Sequence, residues 1–274
     1  MKMHTDDRRL VDLIPPLKRA RGYYVYDCNG NRYLDLFQNG GHAVLGHRAQ
    51  RVTTLLKSVM SSGLLFDLPS VYMGRLERAL QFLFPDFCTF RIVNSVEAAL
   101  QIASDYCGES ITSQDVVDPA LDQGNTSRSV CLWRPFLPGA QWVDTDVLLP
   151  VLPFSVGGGP VVVCLRKAVA TASDCSELVS PLLLSGTARS IGDLARYQPP
   201  GWFSNDLLQA AHRWRQRGIY IVSKVSAERY RGVFMRFLKQ GMLLSPYHPG
   251  PSILPAQASP GEVRHMITLF RESC

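Results

Sequence analysis

The sequence predicts an α/β protein, and three observations carry that prediction. Short apolar, β-branched runs alternate with stretches whose apolar residues recur at helical spacing. A further set of helix and strand patterns follows Pro199-Pro200-Gly201, which suggests a smaller α+β block at the C-terminus. The composition, 46% hydrophobic and 19% charged over 274 residues, is that of an ordinary globular chain long enough for one large or two modest cores.

The elements follow in order. Tyr23, Val25, Tyr33, Leu34 and Leu36 are strand formers on either side of Asp27-Cys28-Asn29-Gly30-Asn31, where Asn-Gly supplies the positive φ of a tight hairpin. An N-terminal helix or arm precedes this hairpin. Val52, Leu55, Leu56 and Val59 place a helix within 48–65. Leu76, Leu80 and Leu83 place a second over 72–83, stopped by Pro85-Asp86. Phe90-Arg91-Ile92-Val93 reads as a strand, and Val96 to Tyr106 as a helix ending near Gly108. Residues 111–128 are polar, poorly patterned and expected to form an exposed loop.

Strands are expected at 130–133, 147–149 and 161–165. The uncharged stretch 147–165 has the length of a membrane span, but three prolines and Gly157-Gly158-Gly159 break it into two buried strands joined by a turn. A helix is expected over 186–197. The C-terminal block then reads as helix 205–216, strand 219–222, helix 227–240 and the apolar run Met242-Leu243-Leu244. Its last helix opens on Ser259-Pro260-Gly261-Glu262, a capping box with proline at the first helical position.

Several function classes are set aside by composition and spacing. The net charge of +6 comes with basic clusters at residues 8–21 and 212–217. No aromatic-basic repeat or zinc finger accompanies them, so nucleic-acid binding is not expected. The seven cysteines are odd in number, widely spaced and without a C-x-x-C pair, which argues against disulfides and zinc and for mostly buried thiols in a reducing compartment. The acidic residues and missing apolar region of the N-terminus do not match a secretory signal. A soluble, cytoplasmic protein is expected. His42 and His47 lack metal-ligand spacing with a carboxylate, no G-x-S-x-G elbow is present, and the glycine triplet is not a P-loop.

The run from Arg21 to His47, RGYYVYDCNGNRYLDLFQNGGHAVLGH, resembles the N-terminal signature of the class III aminotransferases. This pyridoxal-phosphate (PLP) family includes glutamate-1-semialdehyde aminomutase. The stretches Phe237 to Pro246 and Ile253-Leu254-Pro255, with the capped helix, resemble the family's C-terminal domain. The resemblance covers both ends of the chain and little of its centre. It implies a shortened PLP-dependent transferase fold (fold type I): residues 1–46 as arm and hairpin packing with the small domain, 47–201 as the shortened large α/β domain, and 202–274 as the small α+β domain.

The resemblance also sets a chemical requirement: a Schiff-base lysine, a carboxylate on the pyridine nitrogen and a phosphate cradle at a helix N-terminus. Arg91 to Leu100 is similar to the family's cradle, with Val96 replacing a Gly-Thr pair. Asn94 and Ser95 are therefore either phosphate ligands or simple helix caps. Ser185-Gly186-Thr187 resembles the step through which Thr187 would reach the neighbouring subunit's phosphate, implying a homodimer; otherwise the two hydroxyl residues cap a helix. Lys167 is the one lysine in suitable chain order. Setting the glycine triplet in register with the family's instead puts Phe154 at the lysine position and Lys167 on the surface. Asp144 and Asp146 precede a strand rather than follow one, so the pyridine carboxylate is not identified. The reading that follows is a degenerate aminotransferase relative with a binding or assembly role. Alternatives are an active aminotransferase or aminomutase using Lys167 with PLP, its substrate unknown, and a basic interaction module without a small ligand.

Overall fold

The computed structural model describes residues 10–121, 129–139, 145–154, 156, 159–168, 176–200, 207–208 and 211–273. The chain divides into two compact units, one comprising residues 49–135 and 139–197, the other 2–48, 136–138 and 198–274.

The second unit contains the hairpin. Strands β1 (Leu17–Arg21), β2 (Tyr24–Asp27) and β3 (Arg32–Asp35) form an antiparallel meander, and β10 (Met242–Leu243) adds in parallel beside β3, with Leu34 opposite Met242. Gly30 takes the left-handed φ of +90° that the turn demands. Asp27 fixes the loop by accepting from the Asn31 backbone at 2.8 Å and its side-chain amide at 2.7 Å. A second sheet, β11 (Ser252–Ile253), β9 (Tyr220–Ser223) and β8 (Trp214–Arg217), is antiparallel throughout.

Among the described residues this unit also holds two long helices, α5 (Ala227–Lys239) and α6 (Pro260–Glu272), the latter opening on the expected reciprocal capping box. Its core is aromatic: Trp214, Phe237 and Phe270 are buried and packed edge-to-face or tilted, with Trp214 and Phe270 centroids 4.7 Å apart. The indole N–H of Trp214 donates to Ser273 Oγ at 3.0 Å. The expected helix over 205–216 is thus corrected at its end, where Trp214–Arg217 is a strand; 201–206 and 209–210 lie outside the described residues.

The first unit is a mixed sheet with helices. The strands run in the order β4 (Thr89–Val93), β7 (Val161–Leu165), β6 (Val147–Pro150), β5 (Val130–Trp133). β5 and β6 are parallel, whereas β7 is antiparallel to both β6 and β4. By that register β4, β5 and β6 all point the same way. The unbroken run Val161-Val162-Val163-Cys164-Leu165 reflects burial on both faces.

The helices are α1 (Gln50–Ser61), α2 (Val71–Leu83), α3 (Val96–Cys107) and α4 (Pro181–Leu194). Ala99 and Ala103 of α3 join Val93, Val130, Val147, Leu149, Val163 and Leu165 in one core cluster. Gly108 ends α3 in the left-handed conformation. Three further expectations need correction. α4 begins at Pro181, five residues earlier than expected, with Ser180 as its cap. Val117 and Ala120 of the supposed exposed loop are buried, Val117 bridging in parallel to Cys131 at the sheet's edge. Of the described cysteines Cys131 and Cys164 are buried, but Cys28 and Cys88 are exposed. No described helix is long and apolar enough to cross a membrane.

Candidate functional site

In a sheet of parallel strands, ligands bind where the strands' carboxyl ends open onto loops. In the first unit that edge collects Asn94 and Ser95 after β4, Arg134 after β5 and the 151–154 loop after β6. This is the candidate site, and each side chain in it already has a structural partner.

At the end of β4, Ser95 caps α3, its Oγ accepting from Ala98 N at 3.1 Å. Asn94 is held by the segment that precedes α4: its N–H donates to Glu177 Oε2 at 2.7 Å and its Nδ2 to Leu178 O at 3.0 Å. Ile92 N donates to Ser176 Oγ at 3.1 Å and Ile92 O accepts from Glu177 N at 2.9 Å. The anion at this turn is therefore the chain's own Glu177 carboxylate.

At the end of β5, Arg134 forms a bidentate pair with Asp118: Nε donates to Oδ1 at 2.7 Å and the terminal guanidinium nitrogen to Oδ2 at 2.6 Å. Both side chains are about nine-tenths buried, at 8% and 11% exposure. The planar fork of arginine suits this geometry. Asp118 also accepts from Ala120 N at 3.0 Å. Asp146 precedes β6, as the sequence suggested, and Asp144 lies outside the described residues.

After β6, Phe154 is buried at 6% exposure. Its ring lies against the α4 backbone at Gly186. A Cβ built at Gly186 would overlap Phe154 Cε2 and Cζ and stand 3.2 Å from Leu56 Cδ2. Gly186 is thus a close-approach glycine inside a helix, not part of a phosphate-binding turn. Thr187, one residue on, is 1% exposed in mid-helix, with Oγ1 unpartnered. Ser185, also in the helix interior, donates to Leu182 O at 3.1 Å. Neither caps a helix.

Lys167 leaves the sheet at the opposite edge. It follows β7, Thr89 Oγ1 donates to Lys167 O at 3.4 Å, and Lys167 N donates to Tyr106 Oη at 3.0 Å, at the far end of α3 from Ser95. The length of β4 and α3 sets this separation at roughly 15 Å. Lys167 therefore does not share a site with Asn94 and Ser95. Like Lys18, Lys57, Lys224 and Lys239, it is exposed, so no described lysine is buried.

The described residues of this edge do not fit PLP. The carboxyl edge offers a buried phenyl ring and no described lysine, its buried carboxylate is paired with arginine, and the amide of Asn94 is held by Glu177. Asp118, Arg134 and Glu177 carried no signal in the sequence; only the sheet order brings them to this edge. A separate groove of about 430 Å³ runs along α2 and the start of β4, lined by Arg78, Gln81, Cys88 and Arg91 among others.

The Arg21–His47 signature, by contrast, has a self-contained explanation in the other unit. Asp35, 2% exposed, accepts on Oδ1 from the N–H groups of Phe37 and Gln38, each at 2.9 Å, and on Oδ2 from His47 Nε2 at 2.7 Å. Gly46 has φ +87° and packs on Gly22, where an added Cβ would stand 3.3 Å from a backbone oxygen. Gly22 and His47 exchange backbone hydrogen bonds at 3.1 and 2.6 Å.

This architecture is that of the PLP-dependent aminotransferases in shortened form. The structure matches an ornithine aminotransferase of Plasmodium yoelii with a TM-score of 0.71, over 98% of this chain and 99% of that one at 14% identity. An omega-transaminase of Sphaerobacter thermophilus matches at TM-score 0.66, covering 98% and 96% of the two chains at 12% identity.

In sequence, no family model matches. The chain is 28% identical over 288 residues to an uncharacterized protein of Treponema pallidum, covering 87% of this chain and 88% of the relative. An uncharacterized protein of Borreliella burgdorferi is 27% identical over 280 residues, 98% and 93% of the two. A glutamate-1-semialdehyde 2,1-aminomutase of Thermus thermophilus is 35% identical over 98 residues, which is 34% of this chain but only 23% of the aminomutase.

Proposed function

We propose that this chain is a degenerate class III aminotransferase relative that has lost transamination and serves a binding or assembly role as a homodimer. The observation that carries the proposal is Phe154. Setting the glycine triplet in register with the family's puts Phe154 at the Schiff-base lysine position, and Phe154 is buried against Gly186 while every described lysine is exposed. The fold-level likeness to aminotransferases supports ancestry, and activity follows from a site rather than from a fold.

Adding PLP to the purified protein tests this. The expected result is no saturable, protein-dependent absorbance band and no spectral change with amino donors. A band that saturates, and that Lys167→Ala abolishes, would restore the enzyme reading.

A further inference from the structure

Positive charge is concentrated in the second unit. Its described residues hold fifteen lysines and arginines against six aspartates and glutamates, a surplus of nine. The whole chain has 29 against 23, a surplus of six, so the rest of the chain is slightly acidic. Four of the six carboxylates are already used. Asp27 and Asp35 are 2% exposed, and Glu262 and Glu272 are each bonded to an arginine. Asp12 and Glu228 remain.

Much of the surplus lies along one connected track. In chain order the hairpin shows no aromatic-basic repeat, but across its strands it does. Arg19 stands opposite Tyr26 and Arg21 opposite Tyr24, so the four side chains share one face of the sheet. The Arg19 guanidinium lies 4.1 Å from the centre of the Tyr26 ring, and that of Arg32 lies 4.6 Å from the centre of Tyr24. The start of α6 joins this face, where Glu262 accepts from Arg32 at 3.0 Å and from Tyr24 Oη at 2.9 Å. Exposed Arg264 and Arg271 follow seven positions apart, on one side of a helix about 20 Å long. At its far end Glu272 accepts from Arg236 of α5, and exposed Arg229 stands two turns before Arg236.

We infer that this track binds nucleic acid through the phosphate backbone, without reading bases. The inference rests on the binding part of the function proposed above and not on the loss of transamination. Arginine forks match phosphate oxygens, and Arg19, Arg21, Arg229, Arg264 and Arg271 have no carboxylate partner among the described residues. No large apolar side chain is exposed between residues 211 and 273, so α5 and α6 offer nothing to insert into a membrane. Tyr24 and Tyr26 are half-buried beneath arginines, not free to stack on bases.

Fluorescence anisotropy of the full chain with a labelled DNA duplex of about 20 base pairs tests the inference. With about five phosphate contacts, log affinity should fall against log salt with a slope of about −4.5, a loss of about 500-fold between roughly 50 and 200 mM. Duplexes of unrelated sequence should bind alike. Arg264→Gln with Arg271→Gln should reduce the slope by about two, with an unchanged circular dichroism spectrum. Arg19→Gln with Arg21→Gln provides the same test should the α6 variant fail to fold. Arg75→Gln with Arg78→Gln removes the same charge from exposed positions of α2 in the first unit and should bind as the wild type does.

A duplex left unbound at about 50 mM salt overturns the inference, as does an α6 variant with the wild-type slope or an α2 variant weakened as much. Affinity that depends on sequence overturns the backbone mode. Binding to vesicles of phosphatidylserine and phosphatidylcholine with the duplex left unbound overturns it in favour of a membrane. The PLP titration is independent: a protein that binds neither duplex nor PLP sinks only this inference, and one that binds the duplex and gives a lysine-dependent band sinks only the loss of transamination.

Discussion

Gly186→Ala should destabilise the protein when Phe154 is present and stabilise it when Phe154 is replaced by alanine. At Gly186 the added methyl overlaps two ring atoms of a residue 6% exposed and sits 3.2 Å from Leu56 Cδ2, well inside the ~3.5–4.0 Å of ordinary carbon contact. Overpacking of this kind costs about 1–3 kcal/mol. Replacing a helix-interior glycine with alanine returns about 1 kcal/mol, leaving a net loss of up to about 2 kcal/mol. Phe154→Ala alone should cost about 3–5 kcal/mol through the cavity it leaves. In that background the Gly186 methyl enters vacant space, and the helix gain of about 1 kcal/mol survives. The coupling is then the overpacking cost itself, about 1–3 kcal/mol, and carries a change of sign; it is measured from the urea midpoints of the four proteins at constant m-value. Equal destabilisation in both backgrounds would refute the seating of the ring, and with it the argument that phenylalanine closes the site.

Other consequences follow from the same contacts. Arg134→Ala should lose about 3–5 kcal/mol, because Asp118 is left buried and unpaired, and Arg134→Lys should recover only part, having no fork to offer; urea unfolding measures both. Asp35→Ala removes the acceptor of two backbone N–H groups and of His47 and should cost about 3 kcal/mol or more, at roughly 1–3 kcal/mol for each of the three stranded groups. Burial pushes the Glu262 carboxyl up, but hydrogen bonds from Ser259 and Tyr24 and the nearby Arg32 outweigh it and leave the pKa lowered. Its stabilisation is therefore complete above the unfolded value of about 4.3 and lost as pH falls through the lower folded value. The urea midpoint should drop across that window, and Glu262→Gln should flatten the drop. Burial pushes the Cys164 thiol well above its ordinary value, so a thiol reagent should label exposed Cys28 and Cys88 promptly and Cys164 only on unfolding, as peptide mapping would show.

What could be read from the sequence was what local physics decides. The Asn29-Gly30 turn, the Ser259–Glu262 capping box and the buried Val161–Leu165 strand need only a few neighbouring residues to announce themselves. The start of α4 misled for a reason. Ser180-Pro181 is a sound cap-and-proline signal, but Gly186 resembles a helix entry, and its true purpose is a contact with Phe154, 32 positions earlier in the chain. Trp214–Arg217 reads as a basic helix until β9 lies beside it. Asp118 and Arg134 stand 16 positions apart with a polar stretch between them, so nothing local marks them as a buried pair. Lys167 suits the chemistry by chain order; the antiparallel direction of β7 sends it to the wrong edge.

The signature that suggested an aminotransferase and the residues that would perform the reaction thus answer to different constraints. Asp35, Gly46 and His47 are tied to hydrogen bonds and close backbone approaches within one unit. Replacing any of them strands a buried polar group or forces a backbone shift, whatever the protein does. A Schiff-base lysine has no such tie, and a phenylalanine buried against a helix glycine, as Phe154 is, carries none of the cost of a buried cation. The turn after β4 likewise answers to folding, since Ser95 caps α3 while Glu177 bonds the adjacent amide. Folding alone can therefore preserve the features that identify the fold, whether or not the groups that define the reaction are kept. For that reason the assignment of function rests on Phe154, Asp118–Arg134 and Glu177, and not on the hairpin that first suggests it.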